Sequence, residues 1–421
     1  MPLFEQEHKL SCGTAFDDRD VKMAYDGLCT EDEFVYKELN MQFRNFGKLE
    51  LNVSALGFGC MRLPTTDGKP ISGNINEEES IKMIRYAIDQ GVNYVDTAYP
   101  YHKGNSEIVV GKALKEGYRE KVKLATKSPV WLVNKAEDFD SFLNEQLKKL
   151  QTEQIDFYLL HALNRLQWEN ILELNLLKKA EAAIRDGRIG SLGFSFHDTY
   201  DSFEKIIDGY DRWALCQIQY NYMDTENQAG TKGLQYAASK GIAVVVMEPL
   251  LGGRLANPPQ PVQALFDEFE KKSLPADWAL QWVWNQPEVS LVLSGMNTFR
   301  QVEENIHSAK LSGVNSFGAK EAGLIELVRE KFKERTAIPC TKCGYCMPCP
   351  NGVNIPRNFE LYNDAVIYDN PDAPRMTYMR FLDEKERANA CIQCRICEEK
   401  CPQKIIISEL LSKVHSALAE E

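Results

Sequence analysis

No apolar run in the 421 residues approaches the roughly 18 that a membrane-crossing helix needs; the longest, such as 242–247, have the length of a strand. The opening MPLFEQEHK has no basic segment ahead of an apolar core, so no secretory signal is expected. A basic face is missing too. The 49 lysines and arginines face 61 acids, and the net charge of −12 counts against nucleic acid as a partner, because phosphate binding needs clustered cations. A disulfide framework suits small secreted chains, so the 12 cysteines are not read as one. No G-x-G-x-x-G follows the first strand: Gly57-Phe58-Gly59-Cys60-Met61-Arg62 breaks that fingerprint at its last glycine, which weakens an open doubly wound sheet. No flavin fingerprint and no internal repeat stand out either. These absences leave an acidic chain, expected in the cytoplasm, with neither membrane nor nucleic acid as partner.

What is present is a chain rich enough in apolar residues, 44%, to bury a large core, and long enough for two or three domains of about 150 residues. Residues 1–40 hold ten acids and four bases and read as an acidic extension, with helical fragments near 19–28 and 31–39. From 41 to 312, short β-branched runs alternate with amphipathic stretches. Strands are expected at 56–62, 93–98, 123–127, 156–161, 190–195, 216–221, 243–248 and 290–294. Helices are expected between them at 78–90, 138–150, 168–186, 230–240 and 276–285, two of them stopping at Gly91 and Gly241. Eight strands alternating with helices over this length predict an α/β fold, a (β/α)8 TIM barrel. Residues 313–336 read as a linking helix. A small, mainly α-helical domain follows at 337–421, with helical parts near 355–363, 383–390 and 408–419.

Eight cysteines crowd into that last domain, as Cys340-x2-Cys343-x2-Cys346-x2-Cys349-Pro350 and Cys391-x2-Cys394-x2-Cys397-x3-Cys401-Pro402. Three thiolates at two-residue gaps wrap one side of a cubane, and in two-cluster ferredoxins the fourth comes from the other motif. The spacing predicts two [4Fe–4S] clusters with crossed ligation: Cys340, Cys343 and Cys346 with Cys401, and Cys391, Cys394 and Cys397 with Cys349. Zinc also takes four thiolates, but the third cysteine of each run has no place in a two-plus-two site. The first motif departs in having two residues rather than three before its last cysteine. Such clusters fit a reducing cytoplasm. Cys60 and Cys216, on barrel strands, read as core thiols.

Catalytic groups of such barrels sit at the C-terminal ends of strands. Asp96, Lys127 and His161 end successive strands, and Tyr101 lies in the loop after Asp96. A lysine facing a barrel mouth is costly unless an acid pairs with it. Together the four suit carbonyl reduction: a hydride arriving at carbon leaves an oxyanion, Tyr101 protonates it, Lys127 lowers the phenol's pKa, Asp96 holds Lys127, and His161 orients the oxygen.

The segments 93–101 (NYVDTAYPY), 125–128 (ATKS) and 155–161 (IDFYLLH) resemble the aldo/keto reductase family with its Asp–Tyr–Lys–His tetrad. The resemblance covers 41–312 and implies a hairpin, about 42–53, plugging the barrel bottom; Tyr101, not Tyr99, matches the family spacing. The tail resembles the subset with a ferredoxin-like two-cluster domain. The resemblance further implies a nicotinamide nucleotide. Ser195 and Gln217 match positions that hold the carboxamide, although Phe196 replaces the usual asparagine. Met247 stands where an aromatic often stacks on the nicotinamide. Leu250 and Gly252 belong to a loop, 248–253, that straps the pyrophosphate. Gly295, Arg300, Gln301 and Asn305 match the adenosine end, with Gly295 and Gln301 where lysine and arginine often bind a 2′-phosphate. Charge does not choose between NADPH and NADH; family habit favours NADPH. The expected substrate is a small-molecule carbonyl compound. Because a nicotinamide gives two electrons and a cluster takes one, the clusters are expected to serve structure, redox sensing or exchange with a redox partner protein. The competing reading is an electron-transfer or redox-sensing protein whose barrel is a docking platform.

Overall fold

The computed structural model describes residues 39–419, so the acidic extension, with its expected helical fragments, falls outside them but for its last two residues. Ten strands are seen among the described residues. A hairpin comes first, β1 (Phe43–Phe46) with β2 (Leu49–Ser54). Then follow β3 (Leu56–Gly59), β4 (Tyr94–Asp96), β5 (Lys123–Ser128), β6 (Ile155–Leu163), β7 (Ile189–Phe196), β8 (Leu215–Gln219), β9 (Ala243–Met247) and β10 (Val289–Gly295). Strands β3 to β10 are all parallel and close into a barrel as β10 meets β3.

Side chains on a strand alternate between faces, and that period builds the barrel. Val95, Tyr158, Phe194 and Val244 pack outward into the layer shared with the helices. Their neighbours Tyr94, Phe157, Leu215, Ala243 and Val245 fill the interior. The hairpin seals one end. Phe46 of β1 is fully buried and packs on Phe157 and Tyr94, with ring centroids 4.9 and 5.9 Å away. Its turn residue Gly47 has φ +58°, and a Cβ there would come within 2.5 Å of the Ala243 amide, so only glycine fits. The other end is left for polar residues.

The outer helices follow local signals. Glu77–Asp89 begins at Asn76, whose side chain accepts from the Glu79 amide, and has three acids in its first turn, matching the helix dipole. Gly91 follows it with φ +100°. The single helix expected at 168–186 is instead two, Arg165–Glu173 and Leu176–Arg185, broken at Asn175, which takes φ +53°. Asparagine tolerates that left-handed turn, which amphipathic periodicity does not reveal.

The linking helix Ala319–Glu334 packs on helix Gln260–Glu268 and Trp278 through Leu324, Ile325, Val328 and Phe332. Beyond it, helices Ile355–Ile367, Asp372–Arg380 and Ile407–Ala419 enclose a second core around Phe359, Tyr362, Tyr378 and Leu411. The helix expected at 383–390 is instead two short 3-10 turns, Glu384–Glu386 and Ala388–Ala390. No strand occurs among the described residues of this domain. Nor is any described helix long and apolar enough to cross a membrane.

Candidate active site and iron–sulfur centre

Asp96 ends β4 and Lys127 lies next to last in β5, both on the inner face at the open end of the barrel. The Lys127 ammonium donates to Asp96 Oδ1 at 2.6 Å, to the Thr97 carbonyl at 2.8 Å and to the Tyr101 hydroxyl at 3.4 Å. Lys127 and Asp96 are almost wholly buried, 1% and 2% exposed, so this charge pair is sealed from solvent. Tyr101 starts a tight turn in which His102 and Lys103 take φ +51° and +56°. Buried His102 braces the turn: its Nε2 accepts from the Leu63 amide at 3.2 Å, and Nδ1 meets the Ser72 carbonyl at 2.6 Å. Tyr99 turns elsewhere, its hydroxyl donating to Glu145 while Lys149 lies 4.3 Å from its ring centre.

The electrostatics assign protonation states. Burial works against the Lys127 charge, yet Asp96 and then Tyr101 hold the ammonium above its ordinary value. Burial pushes the Tyr101 phenol up, and Lys127 pulls it down without reversing the shift. The expected lowering by Lys127 therefore exists, but burial outweighs it, because a phenolate in this wall would lose its hydration. Burial, then Lys127 and His197, hold His161 well below the ordinary imidazole range, so its ring is neutral. His161 stands with its ring centre 6.0 Å from Tyr101 and 5.1 Å from Trp131, and its Nδ1 has no hydrogen-bond partner.

One cleft of about 780 Å³ runs from these four side chains across the barrel mouth. Every residue matched to a nucleotide contact lines it: Ser195, Gln217, Met247, Leu250, Gly252, Gly295, Arg300, Gln301 and Asn305. Ser195 Oγ accepts from the Ala162 amide at 2.8 Å, and Gln217 Nε2 reaches the Met247 sulfur at 3.8 Å. Gln217 Oε1 is buried without a partner, an acceptor suited to a carboxamide. Gly252 and Gly253 take φ +68° and +97°, and side chains at Gly252 or Gly295 would press on Arg62, at 3.3 and 3.4 Å. The donor set and the glycine cradle fit an elongated phosphorylated nucleotide. At the far end, Asn305 Nδ2 donates to Ser294, the Asn297 amide donates to Gln301, and Arg300 pairs with Glu304 at 2.6 Å. Phe196, where the family has asparagine, is buried against Phe203.

Among the cleft residues not read from the sequence are Arg62, His197 and Asn370. Arg62 follows β3 by three positions and faces Gly252 and Gly295; as a cation just past a strand end, it was within reach of the same rule that found Lys127. His197 follows β7 directly. Asn370 comes from the iron–sulfur domain, and no local signal links it to the barrel.

In that domain, Cys340, Cys343, Cys346 and Cys401 line one hollow whose other walls include Ile355, Phe359, Ile405 and Ile407. Burial, then the neighbouring thiols Cys340, Cys343 and Cys401, push the Cys346 thiol up. Burial, then Glu398, Cys391 and Cys349, push Cys397 up to about 11. The sequence-distant Cys401 thus stands with the first motif's triplet, and Cys349 is near enough to Cys397 to act on its thiol. Four thiols around an apolar hollow fit a cluster, since a cubane needs space between its ligands where a lone ion needs them touching. Cys343 and Cys394 are exposed, whereas Cys60 and Cys216 are buried in the barrel.

A buried acid–lysine pair meeting a tyrosine at the mouth of a closed parallel barrel, with a cysteine-lined hollow in the domain that follows, suits an oxidoreductase. Comparisons with known proteins agree. The model of the aldo/keto reductase family matches residues 55–316, and that of a 4Fe-4S dicluster domain matches 339–406. L-galactose dehydrogenase of Arabidopsis thaliana is 27% identical over 323 residues, covering 70% of this chain and 97% of that protein. The aldo-keto reductase YhdN of Bacillus subtilis is 31% identical over 229 residues, covering 51% and 64%. Among solved structures, the holo form of aldo-keto reductase AKR11C1 from Bacillus halodurans superposes with a TM-score of 0.57 at 24% identity, covering 69% of this chain and 96% of that one. The chain belongs to the aldo/keto reductase family. It is an oxidoreductase of that family that carries a 4Fe-4S dicluster domain.

Proposed function

We propose that the chain reduces the carbonyl group of a small aldehyde or ketone with NAD(P)H, Tyr101 giving the proton. The observation that carries this reading is the line from buried Asp96 and Lys127 to half-buried Tyr101, 2.6 and 3.4 Å between successive polar atoms, opening onto the cleft that the nucleotide residues share. A reduced nicotinamide, when bound, supplies the hydride that turns C=O into an alkoxide. The remaining chemistry falls to this chain. Tyr101 carries its proton at neutral pH and His161 does not, so the phenol is the acid within reach of a substrate oxygen. As the proton leaves, the phenolate forms beside the Lys127 ammonium, which Asp96 holds in place and in charge. Neutral His161 orients the carbonyl oxygen. Atoms balance as one hydride and one proton added across the double bond.

Ser195 and Gln217 would hold the carboxamide, Met247 would pack on the ring, and the loop bearing Leu250 and Gly252 would cover the pyrophosphate. Gly295, Arg300, Gln301 and Asn305 would receive the adenosine end. NADPH is the proposed donor on family habit; Arg62 and Arg300 both line the cleft, Arg300 one position from the residue that binds a 2′-phosphate in the family and paired with Glu304. The eight clustered cysteines would hold two [4Fe–4S] clusters with crossed ligation. The reaction is placed in the cytoplasm, where thiols stay reduced. A second reading, one-electron exchange with a partner protein, is favoured by the exposure of Cys343 and Cys394. Following nucleotide oxidation with a panel of aldehydes, ketones and quinones tests the proposal. Turnover at saturating nucleotide should survive bleaching of the clusters if the fold survives. Failure of the intact, iron-loaded chain to bind nucleotide or reduce any member would end it.

A further inference from the structure

The loop after β9 is an unusual piece of backbone. Glu248 and Leu251, neither of them glycine, take φ +53° and +49°, and Gly252 and Gly253 follow at +68° and +97°. Such conformations persist only where surrounding contacts impose them. Asn221 Nδ2 holds the Glu248 carbonyl at 3.2 Å, and Arg254 holds the Leu251 end. The Arg254 Nε donates to the Leu251 carbonyl at 3.0 Å, fixing the loop from behind while Leu250, Gly252 and Gly253 line the cleft in front.

Arg254 is in turn held by the iron–sulfur domain. Its Nη1 pairs with Asp364 at 3.0 Å, and its guanidinium lies 4.7 Å from the Tyr368 ring centre. Asp364 belongs to helix Ile355–Ile367, and Tyr368 caps it. The same helix walls the four-thiol hollow with Ile355 and Phe359. From Phe359 to Asp364 is a rise of only about 7.5 Å. The helix is also tied to the first cysteine motif. Asn363 exchanges hydrogen bonds of 2.9 and 2.7 Å with Ile338, two residues before Cys340, and Glu360 pairs with Lys342, between Cys340 and Cys343, at 2.5 Å. Tyr368 lies near Phe332 of the linking helix, ring centroids 5.2 Å apart, and shares one apolar cluster with Leu251 and Leu255.

Resting on the nucleotide assignment above, we propose that Arg254 is a positioning residue for the nucleotide strap and that the iron–sulfur domain clamps it there, so that an ordered first cysteine motif is a condition of tight nucleotide binding. A helix with one end on the cluster wall and the other on Arg254 gives the two halves of the chain a shared rigid part.

The experiment is a fluorescence titration of NADPH, and separately NADH, into the iron-loaded chain, its Asp364→Asn and Arg254→Lys variants, and wild-type chain stripped of iron by chelator. Asp364→Asn keeps size but removes the charge partner, and should weaken the tighter-bound nucleotide about tenfold, the scale of one charge-assisted hydrogen bond. Arg254→Lys keeps the charge but loses the fork and the ring contact, and should weaken binding to a similar degree. Turnover at saturating nucleotide should be unchanged in Asp364→Asn, so the effect appears in KM and not in kcat. The stripped chain should bind as weakly as the variants. Wild-type affinity in Asp364→Asn and in the stripped chain would overturn the clamp alone. Absence of binding by the loaded wild-type chain would overturn the nucleotide assignment, and the clamp with it.

Discussion

The Lys127 ammonium stands 3.4 Å from the Tyr101 hydroxyl and 2.6 Å from Asp96 Oδ1, inside a wall that excludes water. A cation in such a place stabilises nothing by itself; its desolvation is compensated only while the acid is there. That interdependence makes the pair testable by deletion.

Asp96→Ala should destabilise the fold by about 3 kcal/mol, because it strands a buried ammonium. Lys127→Met should cost a comparable amount by stranding the carboxylate. The double variant should lose less than the two single losses added together. Urea denaturation of the four proteins checks this, and strict additivity would show that the two charges are not coupled.

Acid should weaken the fold from near neutrality. Burial lowers the pKa of His102, His161 and His197 in the folded chain. The unfolded chain takes up protons at these imidazoles below about pH 6.5, while the folded one resists. Stability is therefore greatest above that pH and is lost as pH falls through it. The urea midpoint should drop between pH 7.5 and 5.5, and His161→Gln should flatten the drop; a midpoint constant across this range would contradict the assignment.

Cys401 lines the hollow with Cys340, Cys343 and Cys346, although the nearer motif in sequence is the second. Cys401→Ala should thus give the same residual cluster spectrum as Cys340→Ala, and iron content should fall toward half. A residual spectrum matching Cys391→Ala would reverse the ligation.

The barrel was legible because its information is local. Runs such as 243–248 and 290–294 declare buried strands, and the strand ends single out Asp96, Lys127 and His161. The cysteine motifs were legible for the same reason, their spacing being the geometry of the ligand set. Misreadings fall where a single residue's backbone decides. Asn175 splits one expected helix, and the Pro371 and Pro374 region hides the helix Asp372–Arg380. Arg62 was missed though it follows a strand end. Asn370 and the Arg254–Asp364 pair were out of reach, because they join segments some 110 residues apart that only the docking of one domain on the other brings together. The direction of the Tyr101 shift was likewise a matter of burial depth, which charge placement alone does not give.

The most direct measurement is single-turnover reduction of an aldehyde by Tyr101→Phe, beside a nucleotide titration of the same variant. With the acid removed and the ring kept, the rate should fall about 10²-fold or more, while nucleotide affinity and denaturation midpoint match the wild type. A rate equal to wild type would contradict proton donation by Tyr101.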